Sequence, residues 1–136
     1  MKLSSTRLAY QVSRLALVKK ATAIRLLDLR QLTDVTDYFV ICTASADLHG
    51  RAIAESLVAE MEKKKIKPLH REGYQKASWI LLDFVDVVVH IFLKEAREFY
   101  NLEGLWGDAP GQTLSDNGRF RTHNGQRRTQ KNRKVN

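Results

Sequence analysis

The amino-acid sequence predicts an α/β fold, in which helices flank one mixed five-stranded sheet and a flexible basic tail follows. Segments with the 3.6-residue period of helices alternate with short runs rich in Val, Ile, Phe and Tyr. Their order is helix, two strands, helix, three strands, helix, which implies one mixed sheet with helices on its faces. The apolar pattern stops near Pro110. We therefore predict a domain at residues 1–110 and a tail at residues 111–136.

The composition is that of one globular domain. The chain has 136 residues, of which 43% are hydrophobic and 28% are charged, as in domains with a single core. No apolar run approaches the roughly 20 residues that cross a bilayer, and the N-terminus lacks the pattern of a secretory signal. Cys42 is the only cysteine, which excludes an internal disulfide and suits a reducing cytosol.

The first helix and the first two strands are predicted from their apolar patterns. Leu8, Val12 and Leu15 lie on one face of a helix because they are four and three positions apart. Residues 22–30 are apolar on both faces, which indicates a strand of a sheet covered on both sides. Residues 38–43 form a second short run of β-branched and aromatic residues, typical of a central strand.

The second helix begins near a serine and carries one apolar stripe. Ser45 is a candidate N-cap, and Asp47 lies in the first turn, where the helix dipole favours an anion. Ile53, Leu57 and Met61 follow at spacings of four residues. We therefore expect this face of the helix to pack against the sheet.

Three strands and a short helix complete the predicted domain. Pro68 confines the strand at residues 67–72 to a sheet edge. Residues 79–84 and 87–93 are predicted to form an antiparallel hairpin, because two apolar runs are separated by only two residues. Residues 94–100 are predicted to form the last helix, from which the chain returns irregularly to its final proline.

The net charge of +8 lies mostly in the tail. Residues 1–110 hold 16 Lys and Arg against 14 Asp and Glu, a net charge of +2. Residues 111–136 hold seven Lys and Arg against Asp116 alone, a net charge of +6. The tail is therefore expected either to act as a solubilising segment or to contact ribonucleic acid phosphates.

The sequence offers no catalytic, cofactor-binding or metal-binding motif. Its glycines form no phosphate-cradling loop, and its histidines are scattered rather than paired as zinc ligands. Asp83 and Asp86 are three residues apart across the hairpin turn, a spacing that does not place two acids on one strand face. Cys42 and His90 lie within apolar strands, where we expect an inert thiol and a core histidine.

Aromatic residues near the end of the domain are the strongest candidates for binding. Phe99 and Tyr100 are adjacent on a helix, so their side chains point about 100° apart and cannot both face the core. Trp79 begins its strand directly after a polar loop. We predict that Trp79 and Tyr100 are exposed anchors for a partner, whereas Trp106 closes one end of the sheet.

Three segments carry a resemblance to a known family. They are "TDYFVICTASADLHGRAIAESL", "KPLHREGYQKASWILLDFVDVVVHIF" and "REFYNLEGLWGDAP". Together they resemble the ribosomal silencing factor family, also called Iojap-related proteins, from about Leu3 to Pro110. The resemblance implies a nucleotidyltransferase-like fold without known enzymatic activity, and this chain has neither a Gly-Ser dipeptide nor a D-x-D sequence.

The resemblance also implies a partner and a mechanism. Members of the family bind the large ribosomal subunit through its ribosomal protein fourteen, block subunit joining sterically and thereby repress translation. The residues implicated in that contact correspond here to Trp79, Tyr100 and Leu102. We add Glu103, because ribosomal proteins are commonly basic and Glu103 follows directly after Leu102. No cofactor is expected.

The family pattern leaves several alternatives open. Val85 stands where the family usually has glycine in the hairpin turn, and valine resists a positive φ, so a different turn type is expected. A degenerate nucleotide-binding protein is the alternative function. The free protein could also pair with a second copy through Trp79 and Tyr100. A bacterial cytoplasmic location is expected, although organellar relatives look alike.

Overall fold

The computed structural model describes residues 3–123, which form one seven-stranded sheet with helices on both faces. In chain order the elements are α1 (Ser5–Val18), β1 (Thr22–Asp28), β2 (Tyr38–Ala44), α2 (Asp47–Glu62), β3 (His70–Glu72), β4 (Trp79–Asp83), β5 (Val87–Leu93), α3 (Lys94–Tyr100), α4 (Leu102–Leu105), β6 (Gly111–Leu114) and β7 (Phe120–His123).

The sheet is mixed, as the sequence predicts. Its strand order is β3-β4-β5-β2-β1-β6-β7. β2 and β5 are parallel, and the other neighbouring strands are antiparallel. The short β3 lies at one edge, which confirms the position predicted from Pro68.

The predicted count of five strands is wrong, because the sheet continues beyond Pro110. β6 pairs with β1 from Gly111 to Leu114, and β7 pairs with β6. These strands are mainly polar and are held by backbone pairing, while Leu114 is buried and Phe120 packs edge-on against Tyr10 at 4.6 Å. The prediction of a flexible tail that begins at residue 111 is therefore wrong for residues 111–123. The rest of the predicted tail, residues 124–136, lies outside the described residues.

α1 and α2 cover one face of the sheet and enclose the larger core. Val12 of α1 and the α2 stripe Ile53, Leu57 and Met61 are fully buried, which confirms both predicted helix faces. Cys42 lies in the same core, and its burial raises the pKa of the thiol to about 12. The thiolate is therefore disfavoured at neutral pH, as expected for an inert core cysteine.

The first turn of α2 differs from the prediction. The N-cap residue is Ala46, not Ser45, and it forms no side-chain capping bond. The Ser45 backbone N–H instead donates to His49 Nδ1 at 2.9 Å, and His49 Nε2 lies 2.8 Å from the Lys19 carbonyl oxygen. His49 therefore joins the start of α2 to the end of α1. Asp47 lies in the first turn, as predicted.

Val85 adopts the left-handed conformation in the hairpin turn, with a φ of 77°. The Asp86 N–H donates to the Phe84 carbonyl at 3.0 Å, which closes a three-residue γ-turn around Val85. Asp83 Oδ1 accepts from the Val85 N–H at 2.8 Å. Valine thus adopts the positive φ that it was expected to resist, and the flanking strands and the Asp83 hydrogen bond hold the backbone in this strained conformation.

We expect Val85→Gly to stabilise the protein. Glycine adopts a positive φ without steric cost, and the Val85 side chain is largely exposed, so its removal sacrifices little burial. The free energy of unfolding should rise by about 1 kcal/mol, measured by urea denaturation. Val35→Gly is the matched control, because Val35 is also exposed but is not among the residues with positive φ. A Val85→Gly protein no more stable than wild type would show that the turn is unstrained.

Candidate functional site

The second face of the sheet is only partly covered. α3, α4 and the following loop pack over a smaller core that contains Leu27, Ile41 and Phe92. On the same face, Leu81 and Val88 of the β4–β5 hairpin are only half-buried. The uncovered part of this face and the outer surface of α3 together form the candidate binding region.

Aromatic side chains follow one another across this region. The ring centroids of Trp79 and Tyr100 are 4.8 Å apart, and those of Tyr100 and Phe99, which meet edge-on, are 5.0 Å apart. Phe99 is 81% exposed and Tyr100 is 50% exposed, while Trp79 is half-buried. We call Trp79, Phe99 and Tyr100 the aromatic patch. Such side chains bind partners well because they bury a large area at low entropic cost.

Two backbone features place the patch. Gly73 has a φ of 87°, and a Cβ atom there would lie 2.0 Å from the Trp79 carbonyl oxygen, so the loop can approach β4 only with glycine. Asn101 is left-handed, with φ 46° and ψ 51°, a conformation that asparagine tolerates. This residue ends α3 and begins α4, so the chain reverses and Leu102 returns to the sheet.

Arg97 fixes the junction of α3, α4 and the sheet. Its Nε and Nη2 atoms both donate at 2.9 Å to the two carboxylate oxygens of Glu103. Its Nη1 donates to the Ala23 carbonyl at 2.7 Å and to Thr43 Oγ1 at 2.8 Å. Arg25 adds a contact of 3.3 Å to Glu103. We call these five residues the Arg97 network.

The network perturbs the titration of its acidic member. Hydrogen bonds from Arg97 hold the pKa of Glu103 below its ordinary value, although partial burial acts in the opposite direction. The Arg97 side chain is only 11% exposed and that of Glu103 is 19% exposed. The pair is therefore screened from water, and its charges interact more strongly than those of a surface ion pair.

The structure brings together some of the predicted site residues but not all of them. Trp79 and Tyr100 are in contact, and both are accessible. Leu102 packs against the smaller core beside them. Glu103 lies in the Arg97 network, where both of its oxygens are engaged by the protein itself. Trp106 is half-buried against the same core, as expected for a residue that closes the sheet.

His90 is buried and contacts Trp79 of the aromatic patch from the protein interior. The sequence analysis did not predict this contact. Trp79 Nε1 donates to His90 Nδ1 at 3.1 Å. The hairpin register pairs Trp79 with Phe92 and Leu81 with His90, so Trp79 and His90 are diagonal neighbours on one face. This relation could have been found by counting outward from the predicted two-residue turn.

The described residues contain no group of three or more His, Cys, Asp or Glu side chains placed to hold a metal ion. Within residues 3–123, no helix is long and apolar enough to cross a membrane. The site consists of apolar and aromatic side chains beside an internal ion pair, an arrangement suited to binding a macromolecular surface.

Comparison with known sequences identifies one family over nearly the whole chain. The model of the family described as "Ribosomal silencing factor during starvation" matches residues 2–136. Ribosomal silencing factor RsfS of Bacillus subtilis is 44% identical over 92 residues, which cover 68% of this chain and 78% of that protein. The chloroplastic protein Iojap of Zea mays is 41% identical over 101 residues, which cover 74% of this chain and 44% of the maize protein.

Two crystal structures show a similar fold. A protein of Chromobacterium violaceum superimposes with a TM-score of 0.75 at 26% identity, over 77% of this chain and 88% of the other. A protein of Bacillus halodurans superimposes with a TM-score of 0.64 at 37% identity, over 71% of this chain and 90% of the other.

We expect Glu103→Gln to destabilise the protein, because Arg97 would keep its buried charge without a full partner. The free energy of unfolding at pH 7 should fall by roughly 2–3 kcal/mol. Because the folded-state pKa of Glu103 is lowered, the pair stabilises the fold above the ordinary pKa of 4.5, and this stabilisation is lost as the pH falls further. The difference between variant and wild type should therefore shrink below pH 4.5 in denaturant titrations.

Glu98→Gln is the control for this measurement. Glu98 is an exposed residue of the same helix and makes no ion pair among the described residues. Its replacement should change the free energy of unfolding by less than about 0.5 kcal/mol. Equal effects of the two substitutions would contradict the structural role assigned to the Arg97 network.

Proposed function

Because this chain belongs to the ribosomal silencing factor family, we propose that it binds the large ribosomal subunit and blocks subunit joining. The partner on that subunit is ribosomal protein fourteen, and the mechanism is steric occlusion of the face that meets the small subunit. The bound protein thereby represses translation. Its site of action is the compartment that holds these ribosomes, the bacterial cytoplasm, with organellar relatives such as Iojap in the same family.

The exposed Tyr100 ring beside Trp79 is the observation that supports this proposal most. Burial of such rings against a partner removes a large apolar area from water, a contribution that dominates many interfaces. Both rings rest on rigid elements, since Trp79 lies on β4 and Tyr100 is the last residue of α3. The surface is therefore organised before binding, which lowers the entropic cost of association.

Leu102 and Glu103 complete the proposed contact set. Leu102 is the half-buried residue that supports the patch from α4. Glu103 lies at the margin of the surface, and its carboxylate is already bound to Arg97. In this proposal Glu103 meets the partner as part of an ion-pair network, and its main contribution is to hold α4 in place.

The proposed fold relation to nucleotidyltransferases carries no catalytic role here. The chain has no Gly-Ser dipeptide and no D-x-D sequence, the features that nucleotide transfer would need. Calorimetry with ATP or CTP and magnesium distinguishes the alternatives. Measurable nucleotide binding would favour the alternative function of a degenerate nucleotide-binding protein.

Substitutions in the patch should weaken binding to the large subunit. We expect Tyr100→Ala and Leu102→Ala each to cost at least about 2 kcal/mol of binding free energy, because interface anchors typically contribute that much. Co-sedimentation with separated ribosomal subunits measures the effect. Binding to the small subunit instead would contradict the proposed partner.

The matched control is Leu48→Ala. Leu48 is an exposed leucine of α2, which lies on the opposite face of the sheet from the patch, so its removal should leave binding unchanged.

Light scattering over the same concentrations detects self-association. A free protein that pairs through the patch would compete with its own binding to the ribosome, and Tyr100→Ala would then reduce both.

The C-terminal residues provide a separate electrostatic test. Residues 124–136 contain five basic side chains and no acidic one, namely Arg127, Arg128, Lys131, Arg133 and Lys134. We propose that they contact ribosomal RNA phosphates. A chain that ends at His123 should then show a shallower dependence of binding on salt, by about one unit of logarithmic slope for each phosphate that the shortened chain no longer neutralises. An unchanged slope would assign these residues a solubilising role only.

A further inference from the structure

The indole N–H of Trp79 is not available to a partner, because it points into the protein. Trp79 Nε1 lies 3.1 Å from His90 Nδ1. An indole nitrogen can only donate, so Nδ1 must be the acceptor and the neutral imidazole must carry its proton on Nε2. His90 is 3% exposed, and Nε2 has no hydrogen-bond partner among the described residues.

The acceptor on His90 is present at every physiological pH. Burial lowers the pKa of His90 to about 3. The aromatic rings that contact it, those of Phe39, Phe92 and Trp79, are uncharged. The ring therefore stays neutral, and its Nδ1 lone pair remains free to accept from the indole.

Aromatic contacts alone leave the orientation of Trp79 incompletely fixed. The ring centroids of Phe92 and Tyr100 lie 4.9 Å and 4.8 Å from that of Trp79, and both rings are tilted relative to the indole plane. Such contacts depend weakly on which edge of the ring faces inward, and the terminal torsion of a tryptophan has broad minima. The bond to His90 selects the orientation in which the nitrogen edge faces the sheet.

We propose that His90 is a positioning residue of the docking surface, which holds Trp79 so that the partner meets only the apolar part of the indole. This inference rests on the proposed function of the patch. Because the indole N–H is already bonded to His90, the partner side chain that meets Trp79 is either apolar or a Lys or Arg that lies over the indole ring. It is not a hydrogen-bond acceptor for the indole nitrogen.

The alternative is that His90 merely fills space in the smaller core. An apolar residue of similar size would fill the same space and would avoid an unpartnered buried Nε2–H, which costs free energy. In the structure, Nδ1 of His90 faces the Trp79 indole as an acceptor, and the unpartnered atom is Nε2 on the other side of the ring. The positioning role explains this arrangement, whereas a filling role does not.

His90→Asn and His90→Leu are the matched variants that test the role. Asn and Leu have the same branched shape, and the Asn Oδ1 can take the place of Nδ1 as an acceptor, whereas Leu offers none. Both variants lack the imidazole ring and have the same number of side-chain heavy atoms, so the relevant difference between them is whether an acceptor can face the indole nitrogen. Urea denaturation of both establishes that the folded proteins are compared.

The first readout is the indole N–H of Trp79 in a ¹H–¹⁵N spectrum. The chain has two tryptophans, and Trp106 is the internal reference, because it is half-buried like Trp79 but its indole nitrogen donates no hydrogen bond among the described residues. In wild type and His90→Asn, the Trp79 signal should exchange with solvent at least tenfold more slowly than the Trp106 signal. His90→Leu should lose this protection. Equal exchange of the two indoles in the wild-type protein would overturn the proposal without any variant.

The second readout is affinity for the large ribosomal subunit. His90→Leu should bind about fivefold more weakly than His90→Asn, the ratio expected for one neutral hydrogen bond. Equal affinities of the two folded variants would overturn the positioning role. If the wild-type protein shows the protected indole but does not bind the large subunit, the proposed function fails while the fixed orientation of Trp79 stands.

Discussion

A single guanidinium joins the two helices beside the smaller core, α3 and α4, to the sheet. Arg97 of α3 reaches the bulged start of β1 through Ala23, the end of β2 through Thr43, and α4 through Glu103. Because a guanidinium donates in fixed directions within one plane, these partners restrict its orientation. The turn at Asn101 is then held from both sides. Phe99 and Tyr100 of α3 therefore keep their positions relative to Leu102 of α4.

The sequence predicted the parts of the fold that depend on local pattern. The stripes of α1 and α2, the edge position near Pro68 and the β4–β5 hairpin follow from periodicity and turn chemistry. β6 could not be predicted this way. Gln112 and Thr113 carry no apolar alternation, and β6 forms because the backbone of β1 offers an open edge, a pairing between segments far apart in sequence that leaves no local signal. β7 differs, because it pairs with β6 across a short turn that contains Asn117 and Gly118, a hairpin signal that the sequence analysis did not use.

The candidate site was predicted unevenly for the same reason. The prediction that Trp79 and Tyr100 are accessible agrees with the structure, because it rested on helix geometry and on a strand boundary. Glu103 was expected to face a basic partner, whereas its oxygens meet Arg97 and Arg25. The Arg25 contact joins residues 78 positions apart. Periodicity cannot report such a contact, since it depends on how the finished chain closes.

The pairing of β1 with β6 has a consequence for how the protein reaches its native state. Ile24 lies opposite Leu114, so one side of β1 has no hydrogen-bonding neighbour until Leu114 has left the ribosome that makes it. The N-terminal portion therefore waits as an incomplete sheet during its own synthesis. Contacts between residues so far apart in sequence slow folding, because the chain loses the entropy of closing a long loop before the new contacts stabilise it. Completion of the sheet on this side of β1 is thus a late step of folding.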